Sequence, residues 1–401
     1  MINKKLKVGN VPNLRFPEFM EEWQSSRLAD TCEINPKNEG LPSSFVYIDL
    51  ESVENGRLLK EDFISKDGAP SRAQRVLSKN DVLFQMVRPY QKNNLFFDKE
   101  GKYVASTGYA QIRTKQNSRF IFQYLHNQKF VDNVIERCTG TSYPAINSTD
   151  LGNIRIGYPS LEEQTKIASF LSLIDERIQT QNKIIEELKL LKITISKKLF
   201  SRQLRFKNGN NENYIDWNTK KLGEVTTLVN KRNKNNQKLP VYSINNKLGF
   251  VPQSEQFEGV DSEDRGYDIK LYKIIDKNTF AYNPARINVG SIGYSENLEN
   301  IIISSLYVCF KTDNTVNDNF LFQYLKTDFF NREVLRNVEG GVRDYLFYDN
   351  FARIKFGLPC IEEQKKIADY LSSIDSKIDI ESQLLHKFEK QKRYLLANLF
   401  I

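Results

Sequence analysis

The sequence predicts an α+β fold with pseudo-twofold symmetry. Two repeated domains of short β-strands plus helices are each followed by a long helix, and the two long helices pair as an antiparallel coiled coil. Three observations predict this. Pro159-Ser-Leu-Glu-Glu-Gln-Thr-Lys-Ile-Ala-Ser-Phe-Leu-Ser-Leu-Ile-Asp recurs as Pro359-Cys-Ile-Glu-Glu-Gln-Lys-Lys-Ile-Ala-Asp-Tyr-Leu-Ser-Ser-Ile-Asp, and the match runs without a gap to Leu199-Phe200 and Leu399-Phe400. Both segments carry apolar residues at alternating steps of four and three, the coiled-coil period. Each follows a set of β-rich runs bounded by Gly, Asn, Asp and Pro. The repeat is far longer than a solenoid unit, so it duplicates a whole domain.

Four blocks follow: residues 1–158 and 201–358 are globular, and 159–200 and 359–401 are helical. In the first globular block Phe45-Val-Tyr-Ile-Asp-Leu, Asp81-Val-Leu-Phe-Gln-Met-Val and Tyr103-Val-Ala-Ser are expected strands. A helix is expected from Phe120, then a Gly-containing loop, and Ile154-Arg-Ile-Gly-Tyr-Pro closes the block. The second block has Pro240-Val-Tyr-Ser-Ile, Thr279-Phe-Ala-Tyr and Ile301-Ile-Ile-Ser-Ser, a helix from Phe320, and Ile354-Lys-Phe-Gly-Leu-Pro. Upstream, Leu14-Arg-Phe echoes Leu204-Arg-Phe, and Trp23 echoes Trp217.

The seam of the first helix includes Ile174, Ile178, Gln181, Ile185, Leu188, Lys192, Ile195 and Leu199. That of the second includes Ile374, Ile378, Glu381, Leu385, Phe388, Lys392, Leu395 and Leu399. Polar residues break both seams at the same two places. One antiparallel register sets Lys192 against Glu381 and Gln181 against Lys392. It also sets Ile174, Ile178, Ile185, Leu188, Ile195 and Leu199 against Leu399, Leu395, Phe388, Leu385, Ile378 and Ile374. A parallel pairing would oppose Lys192 and Lys392, two like charges. The alternative is that each helix packs only on its own domain. Ser160 and Glu163 have capping-box spacing, which Cys360 breaks in the second copy. The overlap from Ile174 to Leu199 would span about 39 Å at about 1.5 Å per residue. One turn of B-DNA is about 34–36 Å, so the helices can hold two domains one turn apart on a duplex.

Net charge is +8, which favours an anionic partner such as nucleic acid, or marks only a basic solvated surface. The four cysteines and two histidines lack metal-ligand spacing, so neither a metal site nor a disulfide framework is expected. With no apolar run of about 18 residues and no apolar leader, a cytoplasmic protein with no membrane contact is expected. No phosphate-binding glycine loop and no dinucleotide fingerprint is present. Asn283-Pro284-Ala285-Arg286 superficially resembles an amino-methyltransferase motif but lacks its second proline and its aromatic residue. The pairs Glu162-Glu163 and Glu362-Glu363 fall in the first turn of a helix, where the dipole accounts for them. No catalytic residue is assigned.

What remains is binding chemistry. Arg88, Tyr90, Gln91, Lys92 and Asn93 follow a strand, and Arg286 and Asn288 follow the comparable strand of the second half. Arginine suits guanine edges, and amides suit adenine. Thr141, Ser142 and Tyr143 occupy a loop that matches the one holding Arg343 and Asp344. Lys231, Arg232 and Lys234 belong to a basic, amide-rich run suited to phosphates, or to a solvated loop. The frames repeat but these loops do not, so two such domains would recognise two different short sequences around an unread gap.

Together these features resemble the specificity subunit of type I restriction–modification enzymes, over nearly the whole chain. The opening Pro12-Asn-Leu-Arg-Phe-Pro-Glu-Phe, with Trp23 and Leu28, is similar to that family's start. The twice-present Pro-x-x-Glu-Glu-Gln-x-x-Ile-Ala-x-x-Leu-x-x-Ile-Asp is similar to its helical conserved regions. The resemblance implies two target recognition domains that bind a bipartite, asymmetric site in double-stranded DNA, with the helices as a ruler. It implies docking of two modification (methyltransferase) subunits, which carry S-adenosylmethionine, and of motor-nuclease restriction subunits, which use ATP and Mg. It implies no cofactor in this chain. It transfers no individual base contact. The competing expectation is a coiled-coil adaptor that joins protein partners without sequence readout.

Overall fold

The computed structural model describes residues 9–256, 266, 268–338 and 345–401. The chain divides into two compact units. The first runs to Lys183 and takes in Ser382–Ile401; the second is Ile184–Glu381. The two long helices, α1 (Leu161–Phe200) and α2 (Ile361–Asn398), each contribute to both units.

Each unit is built on the same strand plan. In the first, one sheet orders Cys32–Ile34, Tyr109–Thr114, Val82–Gln85 and Leu95–Phe96; in the second, Thr226–Val229, Val308–Thr312, Phe280–Tyr282 and Ile292–Tyr294 take those places. A further sheet contains one parallel pair in each unit: Tyr103–Ser106 on Ser44–Ile48, and Ile301–Ile303 on Val241–Asn245. A two-stranded ribbon closes each domain, Gln24–Arg27 with Arg155–Tyr158 and Asn218–Lys221 with Lys355–Leu358. Every strand expected from the sequence is present to within a few residues. The helices expected at Phe120 and Phe320 span Ser118–Tyr124 and Asp318–Tyr324, each capped by an asparagine whose side chain accepts from the phenylalanine N–H.

The most repeated residues are those that lock helix to domain. Glu163, buried at the start of α1, accepts from Arg15 Nε and Nη2 at 2.8 and 2.7 Å and from Trp23 Nε1 at 3.4 Å. Glu363 does the same for Arg205 at 3.1 and 2.8 Å and for Trp217 Nε1 at 3.0 Å. This corrects two expectations. Ser160 Oγ does accept from Glu163 N–H at 3.4 Å, but the Glu163 carboxylate is taken by Arg15 and does not close a capping box. The second acid of each pair is likewise more than a dipole partner, because it is a buried ion-pair member. The next residue, Gln164 or Gln364, accepts from Asn117 or Asn317 N–H and donates to Pro159 or Pro359 O.

Within each unit the two long helices run antiparallel. In the first, Ile174 and Ile178 of α1 share a core with Leu395, Leu396 and Leu399 of α2, and Phe400 packs on Trp23, Phe120 and Tyr124. In the second, Ile195 and Leu199 share a core with Ile367 and Leu371, and Phe200 packs on Trp217, Phe320 and Tyr324. Neither helix packs on its own domain alone. Lys192 donates to Asp375 at 2.6 and 2.7 Å, and Lys392 pairs with Asp175 at 2.5 Å, so both ammonium groups reach carboxylates that the seam pattern did not single out. A lysine stem is long enough to lie over a seam and deliver its ammonium group to a flanking carboxylate. Gln123 and Gln323 donate to the same aspartates, at 2.6 and 2.9 Å.

Candidate nucleic-acid interface

In the first unit the strand Val82–Gln85 ends in buried Gln85, and the chain then turns sharply. Arg88 (φ 54°) and Lys92 (φ 55°) both adopt the left-handed conformation around a short 3-10 turn, Pro89–Gln91. For non-glycine residues this costs about 1–2 kcal/mol each, so the surroundings must hold it. They do. Arg88 N–H donates to Pro144 O at 2.7 Å, and Val87 bridges Ala145. Gln85 donates from Nε2 to Gln91 Oε1 and from its backbone to Asn94 Oδ1, both at 2.9 Å, and accepts from Asn93 N–H. The two loops singled out in the sequence therefore lie side by side. The Arg88 guanidinium sits over the Tyr143 ring, 4.1 Å from its centroid, and Tyr143 and Tyr90 are exposed, 64% and 50%. Thr141 and Ser142 are exposed beside them.

Lys92 is placed differently. Its ammonium donates to His126 O at 3.2 Å and Gln128 Oε1 at 2.8 Å, and burial pushes it below the usual lysine range. It braces the turn. Asn93 Oδ1 accepts from Asn55 N–H at the tip of a two-residue hairpin, Val53–Glu54 with Arg57–Leu58. The Asn55-Gly56 dipeptide is a strong hairpin signal, and it was the available clue to an element beside this loop that the binding chemistry alone did not reveal.

The second unit presents the same position with other chemistry. Met86 O accepts from Ile146 N–H, and Pro284 O accepts from Leu346 N–H. Arg88 and Arg286 each lie two residues beyond that shared anchor, so they are structural equivalents. Arg286 is exposed, with Ile287 buried beneath it and Asn288 exposed after it. Asn283-Pro284-Ala285-Arg286 is an asparagine-capped turn: Ala285 N–H donates to Asn283 Oδ1 and Arg286 N–H to Asn283 O, both at 3.0 Å. Arg343 and Asp344 lie outside the described residues. In the basic run, buried Asn233 folds the loop by donating to Gln237 O and Ile269 O and accepting from Gln237 N–H. Lys231 pairs with Asp276 at 2.9 Å, while Arg232 and Lys234 are exposed. The matching loop of the first unit, from Pro36, is not basic, so the phosphate-suited run belongs to one unit only.

A family model described as the type I restriction modification DNA specificity domain matches residues 20–190 and, again, 214–390. The type I restriction enzyme MjaVIII specificity subunit of Methanocaldococcus jannaschii is 26% identical, over 96% of this chain and 92% of that one. Among solved structures, the S subunit of a type I restriction-modification system from M. genitalium aligns with TM-score 0.61 at 17% identity, covering 98% of this chain and 99% of that one. A chain from a structure on assembly and conformational transition of the type I R-M system aligns with TM-score 0.55 at 20% identity, covering 99% and 98%. The likeness to these two structures is one of fold.

Proposed function

The chain belongs to the type I restriction-modification DNA specificity family, and from that premise we propose how it selects DNA. It is the non-catalytic DNA-recognition subunit of such a system. Each unit contacts one half of a bipartite, asymmetric site. Arg88 with Tyr143 and Tyr90 serves one half, and Arg286 with Asn288 serves the other. The observation that carries this is the structural equivalence of Arg88 and Arg286 inside loops that otherwise differ. One frame offered twice with unlike side chains gives two unlike half-sites. Arg232 and Lys234 add phosphate contacts on the second half alone.

The subunit works within a multi-subunit restriction–modification complex that binds DNA. Outward faces of α1 and α2 dock two modification subunits, which carry S-adenosylmethionine, and restriction subunits bring ATP and Mg; the assembly is cytoplasmic. Methylome sequencing of cells holding the modification subunit, with and without this gene, tests the reading. A split, asymmetric methylated motif that depends on the gene is expected. Exchange of residues 201–358 for those of another such subunit should replace one half of the motif only. Absence of any gene-dependent motif would favour an adaptor without sequence readout.

A further inference from the structure

A half-buried arginine at the edge of a sheet in the first unit has no acid to match it. Arg75 lies on Ala73–Val76, the edge strand beside Tyr103–Ser106. Its Nε is buried without a hydrogen-bond partner, and its guanidinium meets no acceptor among the described residues. Burial pushes it below the usual arginine range, and no carboxylate offsets that. Arg15 and Arg113, also half-buried, are each locked on a carboxylate, Glu163 or Asp81, at 2.7 and 2.8 Å. A partly desolvated cation without a counter-charge costs stability. What the position lacks is an anion from outside the chain.

The strand begins beside the turn that carries Arg88. Arg72 O accepts from Thr107 N–H at 2.9 Å, and the adjoining Gly108 O accepts from Met86 N–H at 3.0 Å, two residues before Arg88. Arg72 itself is exposed. In the second unit Lys273 takes the place of Arg75, facing Ile303 as Arg75 faces Ala105. Lys273 is satisfied internally, because its Nζ donates to Tyr307 O at 2.6 Å. The exposed cation on that edge is Arg232, whose backbone bridges Lys273. The first unit has uncharged Asn38 alongside its strand instead, donating to Gln74 O at 3.0 Å. Between the two copies the cation has moved from loop to strand, and the edge has kept one.

We propose that Arg75 and Arg72 bind a backbone phosphate of the DNA flanking the half-site met by Arg88, on the edge where Arg232 serves the second half; this rests on the DNA-recognition reading above. A base edge offers only neutral acceptors and would leave the desolvated guanidinium unmatched, whereas a phosphate supplies a full negative charge in a geometry that suits the guanidinium fork. The contact fixes where the first unit sits on the duplex and carries no sequence information.

Binding of the full-length chain to duplexes carrying the methylated motif, measured over a range of salt, tests this. Arg75→Gln should lower the slope of log K against log salt by about 1, and the double variant Arg72→Gln, Arg75→Gln by about 2. The ratio of affinities between the motif and its single-base variants should not change. Duplexes with one neutral methylphosphonate at each position around the first half-site locate the contact. One such position should weaken the wild-type chain and leave the Arg75→Gln chain little affected. Because the cation is unmatched in the free protein, Arg75→Met should leave Tm unchanged or raised. Three outcomes would overturn the proposal while leaving DNA recognition standing. An unchanged salt slope would remove the phosphate contact. An altered base preference would make Arg75 a base reader. A fall in Tm for Arg75→Met would make it a residue of the fold. A wild-type chain with no preference for the motif would instead sink the DNA-recognition reading, and this contact with it.

Discussion

Arg88 and Arg286 occupy one position in two copies of a frame, yet their neighbours make different demands of them. Arg88 is pinned in a left-handed turn and laid over Tyr143, whereas Arg286 is exposed and has a φ of −138°. Arg88→Ala and Arg286→Ala should each relax discrimination at one half-site only, by about 1–3 kcal/mol per lost base contact. Competition binding with single-base variants of the site checks this, and a uniform loss over all sequences would refute base readout. Glu363 shows the opposite kind of residue, one spent wholly on the fold. Removing it as Glu363→Ala leaves Trp217 Nε1 without its acceptor and Arg205 with only Asp216 and the Tyr214 and Ile215 carbonyls, and should cost about 1–3 kcal/mol in denaturant unfolding. The sequence showed Arg15, Trp23, Arg205 and Trp217 only as loose echoes. Their convergence on Glu163 and Glu363 was not legible, because the partners lie far apart in the chain and the acids had a sufficient local explanation at a helix start.

At the level of elements, strands and helices were largely legible, since duplicated apolar patterns leave little freedom. The carboxylates that hold Lys192 and Lys392 were not. A heptad fixes which residues face the seam, but a lysine that leaves it can choose among several carboxylates. Asp175 and Asp375 win because Gln123 and Gln323 already hold them in place. A double-mutant cycle on Lys192 and Asp375 should return a coupling of about 0.5–1 kcal/mol. His126, on the same helix junction as Gln123, is acid-sensitive. Burial first, and then the Lys392 ammonium, push it down to about 4, while its Nδ1 contacts Phe122 O at 2.7 Å. The folded state thus favours the neutral ring. Stability is unaffected above pH about 6.5, the unfolded value, and falls as pH drops from there toward about 4. His126→Gln should flatten that fall, seen as a smaller change in Tm across the window.

For the whole molecule, duplication was evident from the sequence, whereas the division into units was not, because it cuts each long helix. Removing one heptad from both α1 and α2 should shorten the unread gap between the methylated halves; an unchanged gap would refute the ruler role. Where Ser382–Ile401 belongs also sets a timetable. Everything the second unit needs, from Ile184 to Glu381, is synthesised before Ser382–Ile401. The first unit must wait for Leu395, Leu399 and Phe400 to reach Trp23, Phe120 and Tyr124. On the ribosome, the half whose synthesis starts first is therefore completed after the other, since its aromatic core waits for residues 395–400.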